Sequence, residues 1–476
     1  MISILTWFLA ATISGPVPKS VTLLVWSDLH GDPSPHLFAA VASDRQQAKA
    51  AGIPFLAMDA GDAFFGSDLS YLTAGGSQVR VLNLVKPDAM VLGDHDFVWT
   101  RNRLDTLISH LGVPVLTSNL RNALDDKPFG RTSWKLWNFD GFRVGVIGVV
   151  DVDESSSDRA SQTQDLRSEE PSYRALEAIA EMKDSSADLS VAISHAGKDD
   201  DEDLARKVQG LDLIVGSRDG GQDTLYRIGR TWIARLVSGP HQVRRLDVSV
   251  GDSGIAVDAF TLLANPKSSL PTGWKPVFDS LESLGKAKTD SVVGDLREAW
   301  PRTKREGNLG NFLADAIREE SGSDIGLWPA SAMHAGLAKG KVTQGDLWKV
   351  IGPFAQVSVF DLPGSEVKHL IRYQFQHPKD FLFLSGITCT PDSSATGGPD
   401  SKVFVDGKPM QGGDHYKIAI PQSLRDDIYD LTGFSLESAS PDYLERWDRD
   451  LVLEHVRKAG LKTTTGRVPA MYGASR

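Results

Sequence analysis

From residue 21 the chain alternates between short apolar runs of strand character and longer amphipathic stretches of helical length. The runs fall at 21–26 (VTLLVW), 54–58 (PFLAM), 88–92 (DAMVL), 113–117, 143–150, 188–193 (DLSVAI) and 211–215 (LDLIV). Helical periodicity occupies 36–51, 77–86, 101–111, 171–184 and 201–209. Gly52 stands where the first of these should end, because a helix often stops on a residue that tolerates a left-handed conformation. Strands alternating with helices predict an α/β domain with a largely buried sheet. The acidic run 198–203 reads as a solvated loop leading into a helix.

The pattern changes at 262–290, where Pro266, Pro271, Gly273 and Pro276 punctuate a polar stretch that acquires helical character over 279–287. This predicts a domain of residues 20–262, a linker with a helix at 263–290, and a second domain at 291–476. The second domain carries predicted helices at 308–321 and 364–375. Its predicted strands lie near 324–328, 356–362, 381–385, 402–405 and 416–420, which is an α+β or α/β composition.

Composition narrows the function. The chain has 476 residues, 51 Lys and Arg against 62 Asp and Glu, and a formal charge of −11. That balance argues against nucleic-acid binding and against an anionic membrane surface, both of which need a basic field. A lone cysteine, Cys389, excludes a disulfide framework and any Cys-rich zinc or iron–sulfur site. Residues 2–14 form an apolar run too short to span a bilayer yet long enough for the core of a signal peptide, although no Lys or Arg precedes it. Residues 1–18 are therefore a candidate signal peptide, with export to a periplasmic or extracellular space as the expectation and a cytoplasmic chain as the alternative. No later segment has the length of an integral membrane helix.

The chemistry gathers directly after the strands of the first half. Ser27-Asp28-Leu29-His30-Gly31 follows the first run, Asp59-Ala60-Gly61-Asp62 the second, and Gly93-Asp94-His95-Asp96 the third. Ser194-His195-Ala196-Gly197 and Gly216-Ser217-Arg218-Asp219-Gly220 follow two later ones. In an open α/β sheet, loops at the carboxyl ends of the strands converge on one site. Asp and Gly after a strand are ordinary turn residues, but the ordered set of D-x-H, G-D, G-D-H-D and S-H-x-G places carboxylates and imidazoles together. This is the donor chemistry of a hydrolytic site for Mn, Zn, Fe or Mg. Other catalytic templates are absent: there is no H-E-x-x-H, no G-x-S-x-G, and Gly340-Lys341 lacks the spacing of a phosphate loop.

This order of motifs resembles the calcineurin-like metallophosphoesterases. The second half narrows the resemblance to the bacterial 5′-nucleotidase and UDP-sugar hydrolase branch. Glu306-Gly307-Asn308-Leu309-Gly310-Asn311-Phe312-Leu313-Ala314-Asp315-Ala316 is close to that branch's E-S-N-L-G-N-L-I-A-D-A, and Thr343-Gln344-Gly345-Asp346 and Tyr416-Lys417-Ile418-Ala419 also fit. The resemblance implies an N-terminal α/β/β/α metallophosphoesterase sandwich and a C-terminal α+β substrate domain, joined by a helix that lets one rotate on the other. It implies two divalent ions in the family, one or two here, and commonly an exported protein. Carried over position by position, Asp28 and His30 match ligands of the first ion, and Asp62 the carboxylate that bridges both. Asp94, where the family has Asn, and His195 match ligands of the second. His95 matches the catalytic histidine that stabilises developing charge or protonates the leaving group.

The chain departs from the family at three places. The G-G-H-S-H motif, which supplies a histidine to each ion, aligns with Gly216-Ser217-Arg218-Asp219-Gly220. Asp219 then becomes a candidate substitute ligand, and Arg218 a charge partner, a phosphate contact or the filler of an empty metal position. The carboxylate that orients the catalytic histidine is replaced by Val98. In the stretch whose arginine grips substrate, Pro329 and His334 replace Asn and Arg, leaving His334 and, after Gly433, the aromatic Phe434 as candidate substrate contacts. The leading expectation is a metal-dependent phosphoester hydrolase acting on a nucleotide or another small phosphoester through metal-activated water. The alternatives are a catalytically impaired relative that serves as a binding module and a sulfur-ester hydrolase of the same superfamily.

Overall fold

The computed structural model describes residues 19–152, 163, 165–218, 222–237, 239, 242–252, 254–262, 268–352, 354–376, 381–391, 401–422, 424, 429 and 442–467. The candidate signal peptide, Asp219 and Phe434 lie outside the described residues. The chain divides into two compact units, Met1–Phe65 with Thr73–Phe278, and Gly66–Leu72 with Asp279–Arg476.

The first unit contains two sheets. One runs Gly254–Leu262, Arg244–Gly251, Lys19–Trp26, Phe55–Asp59, Ala89–Met90, Val115–Leu116, Arg131–Thr132 from edge to edge. Its strands are parallel from Lys19–Trp26 onward and antiparallel at the Gly254 edge. The other runs Thr224–Ile228, Thr231–Arg235, Leu213–Gly216, Leu189–His195, Phe142–Val150, Trp134–Phe139. Its four central strands are parallel, and both edges are antiparallel. Parallel strands covered on both faces need nearly continuous apolar sequence, and Leu189–His195 is buried at every position. The two sheets are tied together by Asn119, whose side chain donates to Val150 O (2.6 Å) and accepts from Val150 N (3.1 Å). On the second sheet, helices Pro171–Asp184 and Lys198–Lys207 bury Ile179, Met182 and Leu204 against Ile147, Ala192 and Ile214.

The acidic run at 198–203 is not a loop. It is the first part of helix Lys198–Lys207, with Asp199, Asp200 and Asp201 in its first turn. Unpaired amides and the helix dipole favour carboxylates there, and Asp201 is fully buried in an ion pair with Arg235.

The second unit holds a five-stranded sheet in the order Leu382–Ser385, Ile325–Pro329, His415–Pro421, Gln356–Pro363, Asp442–Trp447, with a separate three-stranded sheet beginning at Ile387–Pro391. Helix Asn308–Ser321 is buried continuously from Leu309 to Ile317. Its apolar residues join Trp300, Trp328, Trp348 and Phe383 in one core, while Ile325, Phe360, Leu370, Cys389 and Ile418 belong to another. Among the described residues no helix is long and apolar enough to cross a membrane.

Candidate metal centre

Five parallel strands of the first unit deliver polar side chains from their carboxyl ends. Asp28 and His30 follow Lys19–Trp26, Asp62 follows Phe55–Asp59, and Asp94 and His95 open the turn after Ala89–Met90. From the other sheet, His195 ends Leu189–His195, and Ser217 and Arg218 follow Leu213–Gly216. Asp28, Asp62, Asp94 and His195 are all buried.

The loops adopt costly backbone to do this. Asp28, His30 and Asp62 have φ of 55°, 47° and 57°, and Arg218 has φ of 99°. A left-handed conformation at a non-glycine residue costs roughly 1–2 kcal/mol and persists only where surrounding contacts over-determine it. Those contacts are visible: Asp28 N donates to Gly61 O (2.9 Å), His30 N to Asp62 O (2.9 Å), and His95 N to Asp62 Oδ1 (2.9 Å). Gly93 is required by close approach, since a Cβ there would lie 2.1 Å from Asp62 Oδ1.

Two groups of potential ligands result, each able to bring one donor atom per residue within 4.8 Å of the others: Asp28, Asp62 and His195, and Asp62, Asp94 and His95. Asp62 belongs to both, consistent with a bridging position. His195 is the centre's fixed point. Its Nδ1 donates to Ala60 O (2.7 Å), with Ser217 Oγ also 2.9 Å away, so Nε2 is the nitrogen left facing the carboxylates. That Nε2 is fully buried without a hydrogen-bond partner, and it lies 3.2 Å from Asp62 Oδ2 and 3.4 Å from Asp94 Oδ1. An unpartnered imidazole nitrogen among carboxylate oxygens is a donor set that suits a divalent ion.

Charge distribution follows the same geometry. Burial disfavours a charged His195 ring, but Asp62, Asp94 and Asp28 outweigh it and raise its pKa well above the usual value. Burial raises the Asp62 carboxyl, and His195 reverses this to leave it below the usual range. Burial raises Asp28 despite the attraction of His195.

The remaining sequence candidates fall differently. His30 is partly exposed and belongs to neither three-ligand group among the described residues. Its Nε2 lies 3.7 Å from Asp28 Oδ1, its Nδ1 faces Phe65 O at 3.2 Å, and its ring packs edge-on against His95 with centroids 5.2 Å apart. Asp96 gives no support to His95, because its two oxygens accept from Phe64 N (2.7 Å) and Gly93 N (3.0 Å). Val98 is buried. Arg218 places Nε 3.6 Å from Asp94 Oδ1 and donates from Nη1 to Asp151 Oδ2 (2.5 Å) and Ala196 O (3.2 Å). His334 lies in the second unit, exposed, with its amide on Val350 O (2.8 Å).

Asp151 was not singled out by the sequence, although it follows Phe142–Val150 as the other carboxylates follow their strands. It lacks the flanking glycine or histidine that marked them. Asp59 is also part of the frame: its buried carboxyl accepts from Trp26 Nε1 (2.9 Å) and Gly61 N (3.1 Å), shaping the loop that carries Asp62.

Two mixed sheets with an Asp/His cluster at the carboxyl ends of their strands fit the fold and site type that the sequence resemblance implies, those of a metallophosphoesterase. Comparison with known proteins narrows this: residues 283–426 match the family described as 5′-nucleotidase, C-terminal domain. The chain is 24% identical to the trifunctional nucleotide phosphoesterase protein YfkN of Bacillus subtilis over 87% of its length, but that match spans only 32% of YfkN. It is 23% identical to Protein UshA of Yersinia enterocolitica over 83% of this chain and 82% of UshA. A putative 5′-nucleotidase from Staphylococcus aureus superposes with a TM-score of 0.69 at 16% identity, covering 94% of this chain and 99% of that one. The chain thus resembles the 5′-nucleotidase branch of the calcineurin-like phosphoesterases and has its fold.

Proposed function

We propose that the protein is a metal-dependent phosphoester hydrolase of 5′-nucleotidase type, acting on a nucleotide or another small phosphoester. The observation that carries this reading is the buried, unpartnered Nε2 of His195 facing Asp62 and Asp94, with Asp28 within reach. Asp28, Asp62, Asp94 and His195 would hold one or two divalent ions, with His30 beside Asp28. A bound divalent ion supplies Lewis acidity for phosphoryl oxygens and lowers the pKa of water. His95, partly exposed and held at its amide by Asp62 Oδ1, protonates the departing oxygen. His334 is a further candidate substrate contact, and residues 263–290 serve as the linker. The nucleotide phosphoesterase named among the relatives favours a nucleotide, and export through residues 1–18 accords with a substrate met outside the cytoplasm.

A catalytically impaired binding module is the second reading. It is favoured by Arg218 beside Asp94 and by Asp96 being committed to main-chain amides rather than to His95.

Elemental analysis after incubation with Mn²⁺, paired with hydrolysis of p-nitrophenyl phosphate and a set of nucleoside monophosphates, tests the proposal. Metal retention with activity abolished in Asp62→Asn is expected. Less than about a tenth of an equivalent of metal would sink it, since binding needs these ligands preformed. Metal retention without hydrolysis would establish the binding-module reading.

A further inference from the structure

Arg218 bears on how many cations the centre accepts. Its Nε lies 3.6 Å from Asp94 Oδ1, the same oxygen that lies 3.4 Å from His195 Nε2. Its Nη1 is held by Asp151 Oδ2 at 2.5 Å and Ala196 O at 3.2 Å. Its backbone and these two partners follow three adjacent parallel strands of one sheet, Leu213–Gly216, Phe142–Val150 and Leu189–His195. The preceding residue is fixed as well, because Ser217 O accepts from Arg235 Nη2 (3.1 Å), and Arg235 is itself locked in its buried pair with Asp201. The side chain is only 21% exposed.

A guanidinium stays charged and has no lone pair to offer a metal. Placed against Asp94, it repels a divalent ion from that side while presenting N–H donors suited to an oxyanion. Two divalent ions together with Arg218 would exceed the charge of Asp28, Asp62, Asp94 and Asp151 combined.

We propose that the centre takes one divalent ion, at Asp28, Asp62 and His195, and that Arg218 stands as a built-in second cation beside Asp94, where it receives a phosphoryl oxygen. This rests on the phosphoester reading above. Calorimetric titration of the full chain with Mn²⁺, checked by elemental analysis, reads the stoichiometry without any assay of turnover. Saturation at one Mn²⁺ per chain is expected, with Arg218→His admitting a second ion and Arg218→Lys staying at one. In the Mn²⁺-loaded protein, Arg218→Ala should weaken inorganic phosphate binding about tenfold or more. Wild-type saturation at two ions would overturn this proposal alone, and absence of binding would overturn the metal reading with it. If Arg218→His stays at one ion, or if phosphate affinity is unchanged in Arg218→Ala, Arg218 does not play the second cation's part. The wild-type stoichiometry decides the first point even if a variant fails to fold.

Discussion

Gly93→Ala probes the tightest packing of the centre. The added Cβ would lie 2.1 Å from Asp62 Oδ1, 2.5 Å from Asp62 N and 2.6 Å from Asp62 Cγ. Ordinary contact begins near 3.4 Å, so something must retreat by more than an ångström. The Asp62 side chain has no easy retreat, because Oδ1 holds His95 N at 2.9 Å and Oδ2 faces His195 Nε2 at 3.2 Å. Its main chain is already in the left-handed region at φ 57° and carries His30 N on its carbonyl. Overpacking of a rigid interior costs about 1–3 kcal/mol, and the top of that range is expected here because backbone is among the atoms struck. Displacing the shared carboxylate should also reduce Mn²⁺ affinity at least tenfold, roughly the scale seen when the supports of a metal ligand are removed. The assay is thermal and urea unfolding of metal-stripped protein, followed by Mn²⁺ titration. Gly285→Ala is the control: it lies within helix Lys275–Thr289 with nothing within 4 Å of an added Cβ, and should stabilise by up to about 1 kcal/mol. If Gly93→Ala unfolds with the wild type and binds Mn²⁺ as tightly, Asp62 is not clamped as described.

Two further outcomes test the frame around the centre. Arg235→Met leaves Asp201 buried and uncompensated, and should cost about 3–5 kcal/mol in urea denaturation. Adding Asp201→Asn should recover part of that loss, and an undiminished loss in the double variant would show that the pair's charge is not what matters. In the second unit, burial pushes the Asp448 carboxyl up from 3.8 to about 7. The folded state therefore holds a proton that the unfolded chain releases, so stability present at low pH declines as pH rises from about 4 to about 7. Asp448→Asn keeps an acceptor for Ala355 N and Arg449 N and should flatten that part of the profile; an unchanged slope would assign the titration elsewhere.

Much of the fold was legible because buried parallel strands and amphipathic helices write strong periodicities. The predicted helices at 171–184 and 308–321 coincide with Pro171–Asp184 and Asn308–Ser321. The predicted strand at 88–92 shortens to Ala89–Met90, since the chain leaves the ladder to form the Asp94 turn, and the one at 113–117 shortens to Val115–Leu116. The antiparallel edges escaped notice. Trp134–Phe139, Thr224–Ile228 and Gly254–Leu262 expose part of their length, so their apolar signal is diluted by polar residues. In the centre, Asp28, Asp62, Asp94 and His195 stand out in the sequence because each lies at or within a few residues of the end of a strand, and topology brings those ends together. Arg218's partners were not visible. Their meeting depends on the lateral order of three strands whose sequence separation conceals it.

The acidic count of the chain looks adverse to an anionic substrate only if charge is summed without regard to distance. At physiological ionic strength exposed charges are screened over about 8 Å, so most of the net −11 is remote from any group bound at the centre. What a phosphoester meets is local. Three buried carboxylates converge there, and on the proposed reading their negative charge is what would draw a divalent ion to the site. Arg218 is the only guanidinium within 4 Å of these carboxylates among the described residues. Asp151 restrains that guanidinium at its far end, leaving Nε toward Asp94. The carboxylates are thus the means by which an acidic chain collects positive charge at one point. If Arg218 receives a phosphoryl oxygen as proposed, it fixes part of that charge permanently, and phosphate recognition would not depend wholly on metal supply.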